Sequence, residues 1–259
     1  MSRFLHVANG SSTTRTIAEA GIPGLLSIWA DPLHDGPVPG GLSDEALLDV
    51  RRRFLAGPPG SPSDDPVNDL SLWRQIIERH DAYDELVLWF EHDLFDQLNL
   101  IQLLSWLHRR LPSSKVVSLV CIGSYPGRPD FKGLGELTTT ELAPLLDTRQ
   151  PVTEPQYVLA QRAWNAFRQA MPDALDDFRR TDTSALPYLA PALLRFLQEY
   201  PWTTDGLSRT ERRLLHLAEA GSITLATAFP RMHEDESAYY VTDMSLVELV
   251  ETLSRTSPP

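Results

Sequence analysis

Apolar residues in the first half of the chain fall into short unbroken runs separated by amphipathic stretches. "RFLHVA" at 3–8, "GLLSIWA" at 24–30, "ELVLWF" at 85–90 and "KVVSLVCIG" at 115–123 are continuous rather than alternating. Strands covered on both faces read this way, and such strands belong to parallel sheets. Helical patterns lie between them. "SSTTRTIAEAG" opens on small polar residues and stops at Gly21, and a second helix runs from Ser43 through Leu55. Residues 67–80 put Leu70, Trp73, Ile76 and Ile77 on one face. Residues 94–110 repeat apolar positions at Leu94, Leu98, Ile101 and Leu104. Strand, helix and strand within residues 3–30 make a βαβ unit with parallel strands. The expected fold class is α/β: an open, Rossmann-like, mostly parallel sheet whose ligand crevice lies at the carboxyl ends of the strands.

From Thr138 the pattern becomes all-helical, with helices expected at 138–146, 154–170, 172–180 and 187–199 and prolines marking their ends. The last stretch changes again. Ser208 and Glu211 stand at capping-box spacing before a helix that closes at Gly221. "TLATAFPRMHEDES" reads as a short helix, "AYYVTD" (238–243) as a β-like run, and Ser245 with Glu248 as a second capping box. Helix, helix, strand, helix implies a small winged-helix-like C-terminal unit. The expected division is 1–136 for the α/β domain, 137–203 for a helical region and 204–259 for the C-terminal unit. "GPPGSPSDDP" (57–66) is a turn-rich surface spacer.

Charge narrows the partners. Among 259 residues, 35 acids face 23 Lys and Arg, for a net charge of −12. That composition excludes broad binding to a phosphate backbone, so nucleic acid is not an expected partner. The C-terminal unit follows suit: from Ser208 onward five arginines face eight acids, and its candidate recognition stretch "FPRMHEDES" is acidic. Packing or dimerisation is its expected role, and a homo-oligomer is left open. "MSRFLHVANG" turns polar too early for a secretory signal, and no run reaches membrane-spanning length. One cysteine, Cys121, sits inside an apolar run, which suits a reducing compartment. A cytoplasmic protein with no membrane partner is expected.

Four loops follow the four strands and should meet at the crevice. In the first, Asn9, Gly10, Ser11 and Ser12 resemble an anion cradle at a helix N-terminus, where free N–H groups and the helix dipole favour negative charge. The stretch is neither Gly-x-Gly-x-x-Gly nor a Walker motif, and simple capping by Ser11 or Ser12 accounts for it equally. The second loop carries Asp31, His34 and Asp35; the third carries Glu91, His92 and Asp93, followed by Asp96 and Gln97. These side chains suit either a divalent cation or a general acid/base pair. His34, His92, Glu91 and Asp93 are the catalytic candidates. Asn9, Gly10, Ser11, Ser12, Asp31, Asp96, Gln97 and, after the fourth strand, Ser124 are the ligand-binding candidates. Structural alternatives stand beside them: Asp93 is placed to cap the next helix, Asp96 suits its first turn, and His92 reads equally as a packed histidine. No metal motif names the cation. Trp29 and Trp89, near strand ends, are core residues or a border for a planar ligand.

The segments "HVANGSS", "WADPLHDGPVP", "LWFEHDLFDQLNLIQLL" and "LSRTERRLLHLAEAG" resemble the bacterial domain of unknown function 1835 with its companion C-terminal domain. The resemblance covers nearly the whole chain. It implies that Asp31, His34, Gly36, Pro37, Glu91, His92, Asp93, Asp96 and Gln97 match the family's motifs. The family's first motif reads Gly-Asp-Ser, whereas Ser11 follows Gly10 here, so a carboxylate role at that position is absent or displaced. The resemblance implies no particular reaction. The expected function is binding of a small phosphorylated or nucleotide-like ligand at the crevice, with hydrolysis or group transfer as the chemistry. The alternative is a non-catalytic regulatory or interaction scaffold.

Overall fold

A computed structural model describes residues 3–56, 70–221 and 223–256. The spacer at 57–66 and the first residues of the helix expected at 67–80 lie outside these. Four parallel strands form the sheet: β1 (Phe4–Ala8), β2 (Leu25–Ile28), β3 (Glu85–Glu91) and β4 (Val116–Ile122). A short antiparallel β5 (Gln150–Pro151) closes one edge, giving the order β2-β1-β3-β4-β5. Two residues carry no periodicity, so nothing in the sequence marks β5. The chain winds from β1 out to β2 and then returns to β3 on the other side of β1. The strand order therefore reverses between β1 and β3, and that is where an open α/β sheet leaves a crevice.

The helices cover both faces. On one side lies α1 (Ser11–Glu19), whose Ile17 packs with Val87, Trp89 and Val120. On the other lie α2 (Asp44–Ala56), α3 (Leu70–Glu78) and α4 (Leu94–Arg110). Helix α4 is buried almost all round, from Leu94 to Leu107, because a second layer of helices covers its back. Its buried polar residues are each engaged. Asn99 bonds the backbone of Asp31 in both directions, and Gln102 accepts from Trp29 Nε1 at 2.8 Å. Ser105 accepts from Arg109. Such pairing is what makes burial of an amide tolerable.

That second layer is the helical region. A short α5 (Thr139–Leu142) continues as a 3-10 turn to Thr148, followed by α6 (Glu154–Phe167), α7 (Asp173–Arg179) and α8 (Leu189–Leu197). The single helix expected over 138–146 therefore changes pitch at Ala143, where Pro144 cannot donate an α-helical bond. Trp164, Leu189 and Leu193 belong to the same hydrophobic core as Leu5, Leu88 and Leu98, so the helical region shares its interior with the sheet.

The C-terminal unit has its own small core of Leu214, Leu217, Ala228, Met232 and Leu246. It consists of α9 (Arg209–Glu219), α10 (Leu225–Met232) and α11 (Asp243–Thr256). The Ser208–Glu211 capping box is present. Two expectations are corrected. Residues 238–242 form no strand; they run as an extended strap whose Ala238 carbonyl accepts from Leu94 N at the start of α4, not from a neighbouring strand. The last helix begins earlier than Ser245, because Thr242 Oγ1 accepts from Ser245 N at 3.0 Å and takes the capping role itself.

Candidate functional site at the β1/β3 crevice

The third loop is ordered by its own polar residues. Asp93 caps α4, accepting from Asp96 N at 2.8 Å. Asp96, one turn in, turns back: Oδ1 accepts from Glu91 N at 2.8 Å and Oδ2 from Asn9 Nδ2 at 2.6 Å. That last bond ties the end of β1 to the start of α4 across the switch point. Gln97 Nε2 donates to the Glu91 carbonyl at 2.6 Å. Glu91 points to a loop beyond β4, where Oε1 accepts from Leu134 N at 2.6 Å. Gly133 permits this approach by proximity, since a Cβ there would lie 2.0 Å from Glu91 Oε2. The outcome is three carboxylates together: Glu91, Asp93 and Asp96 can place ligand oxygens within 4.8 Å of one another.

Among the described residues, no lysine, arginine or histidine forms an ion pair with any of the three. Burial raises all three acids, and repulsion from neighbouring acids adds to it at Glu91 and Asp96. Glu91 is pushed up to about 8 by burial and by Asp93, and Asp93 up to about 6 by burial. Asp96 rises well above the usual carboxylate range through burial and its two acidic neighbours. Half-buried Glu91 and Asp93 and buried Asp96, without a counter-ion, hold protons or await a cation.

Helix α1 begins beside this cluster. Gly10 is its N-cap and supplies no side chain, and neither Ser11 nor Ser12 caps it: Ser11 and Ser12 are already helical. The first-turn N–H groups are thus not taken by a side-chain cap. Ser12 Oγ donates to Gly135 O at 3.2 Å, so the loop that meets Glu91 also meets the start of α1. Asn9, Gly10, Ser11, Ser12, Glu91, Asp93, Asp96 and Gln97 accordingly form one neighbourhood.

The histidines lie at its flanks, in different surroundings. His92 packs edge-on to Tyr188 and stacks with Phe131, its Nδ1 has no partner, and burial lowers its pKa, so the ring is neutral near pH 7. His34 packs edge-on to Phe95 and Tyr239, and its Nε2 lies 3.4 Å from Asp35. Burial lowers it too. The second loop is held by a cation. Arg51, fully buried on α2, donates Nε and Nη2 to Asp31 at 3.0 and 2.7 Å, and its guanidinium also reaches the carbonyls of Pro32 and Asp35. Burial pushes the Asp31 carboxyl up and Arg51 opposes it. Gly36, at φ 72°, makes the turn, where the ring of Phe54 leaves no room for a Cβ. Asp31 and His34 thus belong to a locked loop, apart from the three acids. Ser124 is exposed after β4. Trp89 is wholly buried and donates to His6 Nδ1, so it packs the core rather than bordering a ligand.

Sequence reasoning missed four parts. Arg51 lies twenty residues from Asp31 with no local signal. The "GLG" at 133–135 is legible only as a loop that lets backbone approach. Tyr188 is unmarked within its proline-rich turn. The strap at 238–242 carries Tyr240, whose hydroxyl is pushed up to about 12 by burial and then by Asp93, and over whose ring Lys132 sits. No family model and no curated protein matches the chain. No helix among the described residues is long and apolar enough to cross a membrane.

Proposed function

We propose that the chain binds a small phosphorylated or nucleotide-like ligand at the β1/β3 crevice, together with a divalent cation, and acts as a hydrolase or transferase of the phosphorylated group. One observation carries the reading: three carboxylates without a protein counter-ion lie next to a helix N-terminus that no side chain caps. Hard oxygen donors suit magnesium or manganese, and such a cation supplies charge neutralisation to a phosphate. Glu91, Asp93 and Asp96 are the residues to hold it. The α1 N-terminus, with Gly10 allowing close approach, would receive the anion. His92, neutral and with Nδ1 unpartnered, is the proton acceptor. The resemblance to the bacterial domain of unknown function 1835 is part of the same proposal, since its motifs supply these residues.

The test is thermal unfolding of the full chain with ADP, a sugar phosphate or inorganic phosphate, each with and without magnesium. A ligand that binds only the folded state stabilises it by roughly 2.7 kcal/mol at a hundred times its Kd. One phosphorylated class should raise Tm by several degrees only when magnesium is present. The His92→Ala protein should fold normally and bind while losing turnover of that compound. Absence of any shift across the panel would overturn the proposal in favour of a non-catalytic scaffold.

A further inference from the structure

The strap at 238–242 runs between α10 and α11 of the C-terminal unit, and one buried carboxylate anchors its root. Glu236 Oε1 accepts from three successive backbone N–H groups, those of Ser237, Ala238 and Tyr239, at 3.1, 3.0 and 3.2 Å. Glu236 Oε2 accepts from Arg195 Nε on α8 at 2.9 Å, and both side chains are only 5% exposed. Arg195 also donates to Glu199 and to Thr210 Oγ1, and its guanidinium lies 4.9 Å from the Tyr239 ring centre. Two residues beyond Glu236, the Ala238 carbonyl accepts from Leu94 N at 2.6 Å. Leu94 is the first residue of α4 and follows Asp93. Just before the anchor, Asp235 has φ 56°, the one non-glycine with positive φ among the described residues. Such a backbone persists only where its surroundings hold it. A buried ion pair adds little net stability for the desolvation it costs, and its best-attested use is to select one arrangement. A strained root and the buried pair that holds it describe a closed state that has an open alternative.

We propose that the strap is a latch on the acid cluster: Glu236 and Arg195 hold it shut, and the shut form is the one that binds the divalent cation. The proposal rests on the cation reading above and names what controls that site. With the strap shut, Leu94 N, an orphan donor of the first helical turn, has its partner in the Ala238 carbonyl. With the strap open, that N–H loses its partner and the first turn of α4 loosens. The same turn holds the carboxylates, since Asp93 accepts from Asp96 N and Asp96 accepts from Glu91 N. A cation that needs all three in place therefore binds the shut form more tightly, and by reciprocity it shuts the strap. Glu236 is a positioning residue in this scheme, acting through the backbone of the strap.

The test combines amide hydrogen exchange of the full chain with calorimetric titration of manganese. Asp235 is exposed, so its replacement leaves the buried Arg195–Glu236 pair in place. Valine disfavours a φ of this sign and should open the strap, whereas glycine accepts it and should tighten the strap. In Asp235→Val the amides of Ser237, Ala238 and Tyr239 should exchange faster, and manganese should bind about fivefold more weakly or worse. Asp235→Gly should move both in the opposite direction, and manganese should slow the same three amides in the parent. Glu236→Ala should act as Asp235→Val does, and Glu236→Gln, which keeps an oxygen for the three N–H groups, should recover part of the loss. Should Glu236→Ala fail to fold, the Asp235 pair carries the test alone. Faster exchange in Asp235→Val with unchanged manganese affinity would overturn the proposal and leave the cation reading standing. So would manganese binding by the parent that leaves the three amides unprotected. A parent that binds no manganese would remove the cation reading and this proposal with it.

Discussion

The loops after β2 and β3 leave the same sheet with the same kind of sequence: an acid, a histidine and a second acid within five residues. In the first, Asp31 meets Arg51, and the loop's carbonyls close around the guanidinium. In the second, Glu91, Asp93 and Asp96 meet one another. Local composition does not separate the two. The difference is the placement of one arginine on the helix that follows. A buried acid with its cation is a structural clamp. Acids buried or half-buried with only amides, backbone N–H groups and each other for partners keep an electrostatic deficit that a ligand can fill.

The largest effect should come from breaking the clamp. Arg51→Met leaves Asp31 buried without its cation and should cost about 3–5 kcal/mol in urea unfolding. It should leave any response to divalent cations unchanged, since Arg51 touches none of the three acids. A cost below 1 kcal/mol would mean that the loop does not need its clamp. The next effect is on pH dependence. Acids whose folded pKa is raised bind protons more tightly in the folded state, so stability falls as pH rises from the ordinary carboxylate range through the folded value. With Asp93 near 6 and Glu91 near 8, stability in chelator should fall steadily between about pH 4 and pH 8. Glu91→Gln should flatten the upper part of that fall while Asp31→Asn does not. The smallest effect is that of Asp93→Ser. Serine still caps α4, so no loss of stability above about 0.5 kcal/mol should appear, and removal of the enclosed charge acts in the stabilising direction. A loss well above that would make Asp93 a structural residue first.

Much of the fold was legible because it follows from local pattern. Continuous apolar runs marked β1 to β4, and the length of the links made them parallel. The helix start at Asp93 was readable from its cap. What was not legible depends on contacts far apart in sequence. β5 is two residues long and exists only because β4 offers an edge. The run at 238–242 has strand-like residues, but its position over α4 gives it no strand to pair with. Within the site, the acids and Asn9 were visible as strand-end residues. Their grouping, and the separation of Asp31 by Arg51, depended on side-chain partners twenty to ninety residues away. Ser11 and Ser12 show the opposite case. Each looked like a helix cap, and the helix instead begins one residue earlier, on Gly10.

The central claim is that the β3 loop lacks a cation that the β2 loop already has. Thermal unfolding with and without manganese, at pH 5.5 and pH 8, tests it most directly, with Asp93→Ser alongside. Carboxylates must lose their protons to hold a metal, so the rise in Tm should be several degrees at pH 8 and much smaller at pH 5.5. It should vanish in Asp93→Ser, which folds as well as the parent. An equal rise at both pH values, a rise that survives Asp93→Ser, or no rise at pH 8 would contradict the account.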